Sequence, residues 1–368
     1  MSSSQKNLKL TRRQYFFIII QTQIGVGILA LPFDLHTAAK QDGWISLIIA
    51  WMLLNIILVF LWMLAKKYPE KDYFKIQEFV LTRWVGKTVS ALYVIYFSSV
   101  GILILLLYSR MISLWVLPNT PYWVLSFMMI TISVYIVCCD LITIARIYTM
   151  FSALLIFLAS LIIYSVKDSK LMYLLPIASN GWGGIITGVD KGIISFLGFL
   201  VTLVIYSKVE GSPKDKLKTI LYAQFTVFLF YLCIVLVTFT FFSTKEMALV
   251  SEPVLYMLKS YQFPIVARID LFFISIWMVF VATTLSSFLY MAGLGLRRMV
   301  NTQQNKWVVF SVGCLFFISS LFIGFDLTKL DRFQTYVVHG GYIFAVGIPL
   351  LILLISLFRK NRNKEKTT

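Results

Sequence analysis

The sequence predicts an all-α integral membrane protein of ten transmembrane helices, and three observations carry that prediction. Apolar residues make up 59% of the chain and charged ones only 13%, with a mean hydropathy of +0.85. A water-soluble domain is about 45–50% apolar and about 25% charged. Apolar stretches near the length a hydrocarbon core demands, about 20 residues, recur along the whole chain. They fall at 14–33, 43–65, 88–109, 121–139, 143–166, 185–207, 217–243, 268–294, 306–325 and 336–358. Basic residues gather between alternate stretches. With the N-terminus inside, the inner segments hold 23 of the 33 Lys and Arg, the asymmetry that places both termini in the cytoplasm. The net charge of +17 is then topological, fitting membrane lipid and not nucleic acid.

The first stretch carries "QTQIGVGILALP" (21–32). Gly costs about 1 kcal/mol and Pro about 3 kcal/mol in a helix interior relative to Ala, so Gly25, Gly27 and Pro32 invite a break. Backbone groups freed there need a cavity or protein around them. Small residues also let helices approach closely, and that reading stays open beside the break. Gln21 and Gln23 fit a role tying neighbouring helices together. The segment is retained in the chain, since it has no small-residue cleavage site.

After 43–65, the inner segment 66–87 ("KKYPEKDYFKIQEFVLTRWVGK") alternates apolar and charged residues, as an amphipathic helix on the membrane face would. Arg110 ends the third stretch and suits an interfacial position. Cys138 and Cys139 close the fourth, and with Cys233 and Cys314 they show no metal-ligand spacing. The outer segment 167–184 predicts a loop with at most one short helix, because Pro176 and a glycine cluster follow one another. Stretch 185–207 holds "GIISFLGFLVTL", with Gly198 at its centre. The outer segment 244–267, with Pro253 and Pro264, is apolar enough to pack on the bundle.

The eighth stretch, with "FVATTLSSFLYMAGLGL" (280–296), puts Thr283, Thr284, Ser286 and Ser287 at membrane depth. Thr283 and Thr284 share a helical face with Ser287. Their hydroxyls can meet a ligand or a sodium ion, or bond their own and neighbouring helices. Arg268 and Asp270 at its outer end suit loop bracing, and His339 a structural role. The tail 359–368 is charged and expected to be disordered. No Asp or Glu lies mid-span, where a proton relay would need one. With no phosphate-binding loop, HExxH or nucleophile–base pair, the sequence calls for neither an enzyme nor a cofactor.

Ten spans divide into five plus five, and an odd-numbered unit repeated once must be inverted. Inverted repeats place binding sites midway across the bilayer between interrupted helices. The first and sixth spans correspond, and both carry glycine there. This is a transporter-like plan with helices 1 and 6 locally unwound.

The basic start before "TRRQYFFIIIQTQIGVGILALP", the ten spans, "KKYPEKDYFKIQEFV" and "ARIDLFFISIW" together resemble the spore germination permease-like family, the B-type subunits of spore germinant receptors, within the amino acid–polyamine–organocation transporters. The resemblance covers essentially the whole chain. It implies a germinant-sensing subunit in the spore inner membrane, with A-type and C-type partner subunits and a small-molecule nutrient as ligand. It implies a pocket at Gly25, Val26, Gly27 and Ile28, faced by Ser99 and Val100, by Phe196, Leu197, Gly198 and Phe199, and by Thr283, Thr284 and Ser287. Many relatives carry a glutamate where this chain has Leu200, which makes this pocket more apolar. A secondary amino-acid transporter, with sodium held by first-span carbonyls and the eighth-span hydroxyls, and an assembly subunit with a vestigial pocket stand as alternatives.

Overall fold

The ten apolar stretches fold as helices or helix pairs in the computed structural model, which describes residues 9–177, 181–261, 268–302, 304–324 and 326–364. In order these are α1 (Arg12–Gln23), α2 (Gly27–Ala39), α3 (Gly43–Lys67), α4 (Tyr73–Val80), α5 (Arg83–Trp115), α6 (Tyr122–Val137), α7 (Leu141–Phe151) and α8 (Ala153–Tyr164). There follow α9 (Gly181–Ser195), α10 (Val201–Ile205), α11 (Pro213–Phe241), α12 (Thr244–Met247), α13 (Pro253–Lys259), α14 (Ile269–Val300), α15 (Asn305–Ile323), α16 (Leu327–Gly341) and α17 (Ile348–Lys364). Among the described residues, seven helical segments are long and apolar enough to cross a membrane. There are eight with the α9–α10 pair, which is bent by 50°. The chain is an integral membrane protein.

Local chemistry sets the helix starts. Thr11 caps α1 in a capping box with Gln14, and Ser212 caps α11 with Pro213 in its first turn; both arrangements satisfy or spare first-turn N–H groups. Close packing then follows small residues. A Cβ on Gly188 would lie 2.4 Å from Ser46 Oγ, and one on Gly192 would lie 2.8 Å from Ala50 Cβ. A glycine pair four apart on α9 therefore meets a small pair four apart on α3, the means by which membrane helices gain contact without an aqueous hydrophobic drive.

Cross-links fix which ends share a face. The backbone of Leu10 bonds Lys208 and Glu210, Lys67 bonds Ser356, and Arg298 pairs with Asp72 at 2.6 Å. The start of α1 and the ends of α3, α10, α14 and α17 thus lie on one side, here the N-terminal face.

Four expectations change. Pro32 lies inside α2 and not at the break; its missing N–H leaves the Ile28 carbonyl without that helical bond. The helix within 66–87 is a short one whose apolar side (Tyr73, Phe74, Ile76, Val80) is buried in the bundle. Segment 167–184 holds two single 3-10 turns, and its glycine cluster opens α9. The tail continues α17 as far as Lys364; its last residues, 365–368, lie outside the described residues, as do Lys6 and Pro264.

Candidate functional site: two broken helices back to back

Helix α1 stops at Gln23, and Ile24–Val26 separate it from α2. Helix α9 stops at Ser195 and gives way to a 3-10 turn, Leu197–Leu200, before α10. The two breaks touch. A Cβ on Gly198 would lie 2.3 Å from the Thr22 carbonyl oxygen and 3.0 Å from Gln23 Cα, so only glycine lets the second break seat on the first.

The carbonyls freed at the ends of the broken helices find hydroxyls. Tyr231, buried on α11, reaches the Gln23 carbonyl at 2.8 Å and the Ser195 carbonyl at 3.3 Å, so one phenol tethers both breaks. The Thr284 hydroxyl lies within bonding distance of the Gln21 and Ile24 carbonyls (2.9 and 3.0 Å) and of its own helix's Phe280 carbonyl. Trp277 Nε1 donates to the Gly25 carbonyl at 3.2 Å. Unpaired backbone groups at this depth would cost several kcal/mol each.

Below the break a polar web joins α1, α7 and α14. Thr283 Oγ1 donates to Gln21 Oε1 (2.6 Å), Gln21 Nε2 to Ser152 (3.0 Å) and Thr22 to Ser287 (2.8 Å), while Tyr148 reaches Thr283 and Ser287. Tyr15 OH donates to the Thr202 carbonyl at 2.8 Å. The halves of both broken helices nearest the N-terminal face are therefore bonded together.

The residues named from sequence separate into groups. Thr283, Thr284 and Ser287 meet the first break, but their hydroxyls are engaged by protein groups. Gly25 is buried, and a Cβ there would lie 2.8 Å from Thr284 Oγ1. Val26 and Gly27 are partly exposed, and a Cβ on Gly27 meets nothing within 4 Å. Ile28, Val100, Phe196, Gly198 and Phe199 are buried, while Leu197 is partly exposed beside Gly341. Ser99 is partly exposed, and its hydroxyl donates to the Ile95 carbonyl one turn back on α5. The side of α5 toward α14 instead carries Phe97 and Tyr108, whose rings lie 6.3 Å from those of Phe288 and Trp277.

Sequence reasoning missed Tyr231, Trp277, Tyr148 and Tyr15. The available signal was a phenol or indole at membrane depth, whose polar atom must find a partner. It also assigned Gln23 to helix ties. The buried Gln23 amide has neither Oε1 nor Nε2 bonded among the described residues, although it adjoins the break. Arg268 and Asp270 pair with each other at 2.6 Å, and His339 bonds the Thr335 carbonyl of its own helix.

Two broken helices packed at their breaks, with long helices α5 and α14 beside them, define a secondary-transporter architecture. MhsT in complex with L-phenylalanine superposes with a TM-score of 0.67 at 13% identity, covering 95% of this chain and 89% of that one. A Na⁺-coupled sialic acid symporter gives 0.70 at 12% identity, covering 94% and 80%.

The family profile described as spore germination protein matches residues 9–324, and the chain belongs to that family. Its relatives include the spore germination proteins GerQB of Bacillus cereus (25% identity, 92% of this chain and 93% of that one) and YndE of Bacillus subtilis (22%, 97% and 98%). Spore germination protein A2 of Bacillus subtilis is 25% identical, with 97% of each chain covered.

Proposed function

We propose that this chain is the germinant-sensing membrane subunit of a spore germinant receptor. It crosses the spore inner membrane ten times, with α1–α2, α7–α8, α9–α10 and α16–α17 each counted as one crossing. Both termini lie in the cytoplasm, so the N-terminal face is the cytoplasmic one. A small nutrient sits at the first break, and A-type and C-type subunits receive the signal. Family membership and relatives named germination proteins support the role.

The observation that carries the site is the contrast between Gly25 and Gly27. Gly25 is sealed against Thr284, whereas the first turn of α2 opens into free space at Gly27 with no side-chain cap. A helix N-terminus of this kind favours an anionic group such as a nutrient carboxylate, and the unbonded Gln23 amide adjoins it. The walls are otherwise apolar, with Leu200, Phe196 and Trp277 all buried. A small amino acid with an apolar side chain fits that balance.

The rival reading, a sodium-coupled transporter, would need the Gln21 and Ile24 carbonyls for the ion. The Thr284 hydroxyl lies within bonding distance of both but has one proton to give, so uptake, not this contact, decides between the readings. Gly27→Val separates the readings, because its Cβ enters open space. In spores that depend on this subunit, the variant at normal abundance is expected to lose the nutrient response. Proteoliposomes of the wild type are expected to take up no labelled amino acid. An unchanged response to every nutrient would overturn the pocket, and uptake abolished by Gly27→Val would establish transport.

A further inference from the structure

On the N-terminal face, away from the breaks, a cavity of about 380 Å³ opens between the α6–α7 turn, the segment after α10, and the α14–α15 corner. Three cations line it: Lys208, Arg297 and Lys306. Among the described residues none is ion-paired. Lys208 Nζ donates to Tyr290 OH at 2.7 Å, and Arg297 donates to Asn305 Oδ1 at 3.3 Å, both neutral acceptors. Asp140 is the one carboxylate in the lining, and its Oδ1 accepts from Thr143.

Two helices begin at this cavity, α7 after Asp140 and α15 after Gln304, and neither has a side-chain cap. Their first-turn N–H groups add partial positive charge to the three cations. Basic residues are usual on this face, but here three of them converge on one cavity with Asp140 as its single carboxylate, which leaves it net positive.

The mouth identifies the source of the anion. Tyr135 and Trp307 beside it are 77% and 70% exposed, on the outer surfaces of apolar helices α6 and α15. Aromatic side chains so placed mark the level of lipid headgroups. Basic pockets between transmembrane helices on that side accept anionic headgroups.

We propose that this cavity binds the phosphate of an anionic phospholipid headgroup. The phosphate oxygens would accept from Lys208, Arg297 and Lys306, and the acyl chains would lie along α6 and α15. The headgroup would then join the end of the second broken helix, through Lys208, to α14 and α15, stabilising the conformation closed on this face. Tyr290 lies one turn beyond Ser287 on α14, so the site and the polar web below the break share a helix.

The test reconstitutes the full chain in nanodiscs of phosphatidylcholine, with and without phosphatidylglycerol, and reads thermal unfolding and retained lipid by native mass spectrometry. Wild type is expected to gain several degrees with phosphatidylglycerol and to retain it preferentially. Lys208→Gln/Arg297→Gln/Lys306→Gln should lose both effects, while Lys75→Gln/Arg83→Gln/Lys214→Gln, with the same charge change on the same face, should keep them. A shift that survives in the first variant, or is lost equally in both, would overturn the site. A shift produced by inorganic phosphate in pure phosphatidylcholine discs, with no preference for phosphatidylglycerol, would overturn the lipid assignment. A first variant that fails to fold is resolved by Lys208→Gln alone, for which an undiminished phosphatidylglycerol shift and retention would count against the proposal.

Discussion

Tyr231 holds two helix ends with one hydroxyl, and that is where the energetics of the site concentrate. Its ring is fully buried and lies 5.1 Å from Phe196. Its oxygen faces the carbonyls of Gln23 and Ser195. A Phe in its place keeps the packing and removes the donor. Leaving a buried acceptor unsatisfied costs about 1–3 kcal/mol, so Tyr231→Phe should lower the thermal stability of the purified subunit by an amount in that range. Tyr93→Phe, which removes a hydroxyl from the Tyr73–Phe344 cluster and none that bonds the breaks, makes the comparison. The test is whether Tyr231→Phe, but not Tyr93→Phe, also shifts the nutrient response; equal behaviour would reduce Tyr231 to ordinary packing. The sequence pointed to Gly25, Gly27 and Gly198 because glycine in a membrane helix interior is locally anomalous. It could not point to Tyr231, since a tyrosine within "FLFYLCI" becomes informative only when the carbonyls opposite it are known.

At the scale of elements, the plan was legible wherever periodicity or apolar length decides it. The apolar stretches became helices because backbone groups in hydrocarbon have few alternatives. The division of 143–166 into α7 and α8 at Ser152 was not legible: the Ser152 hydroxyl donates to the Tyr148 carbonyl and also accepts from Gln21, a bond set by a helix 131 positions away. The loops on the face opposite the N-terminus were the least readable, being shaped by tertiary contacts. One such contact joins the turn after α8 to the chain beyond α13, where Tyr261 OH donates to Asp168 Oδ2 at 2.8 Å. Burial, and then the neighbouring carboxylate, push the Tyr261 hydroxyl up to about 12 from its ordinary 10.0. A value raised on folding means the latch contributes fully below pH 10 and is lost as pH rises toward 12. Hydrogen-exchange protection over residues 165–174, corrected for intrinsic rate, should therefore hold through neutral pH and fall in that window. Tyr261→Phe should show the reduced protection already at pH 7; wild-type protection there would show that the latch does not order the loop.

On one side of the breaks the whole molecule is held shut by bonds, and at the first break Val26 and Gly27 are partly exposed. On the N-terminal face, Leu10 bridges to Val209, Tyr15 reaches Thr202, and the α1–α7–α14 web is satisfied. With the N-terminal face held shut, a nutrient binding the proposed site would arrive from the opposite face. A ligand shifts a two-state bundle only by its differential affinity, and apparent affinity falls with the fraction of molecules in the competent state. Tyr15→Phe removes one bond specific to the closed face, about 1 kcal/mol, and leaves every group at the first break in place. The expected outcome is a nutrient dose–response moved to higher concentration, by up to about fivefold, with unchanged subunit abundance and unchanged maximal response. A loss of maximal response with no change in midpoint would mean that Tyr15 serves coupling to partner subunits. An unmoved curve would mean that closure of the N-terminal face is not linked to binding at all.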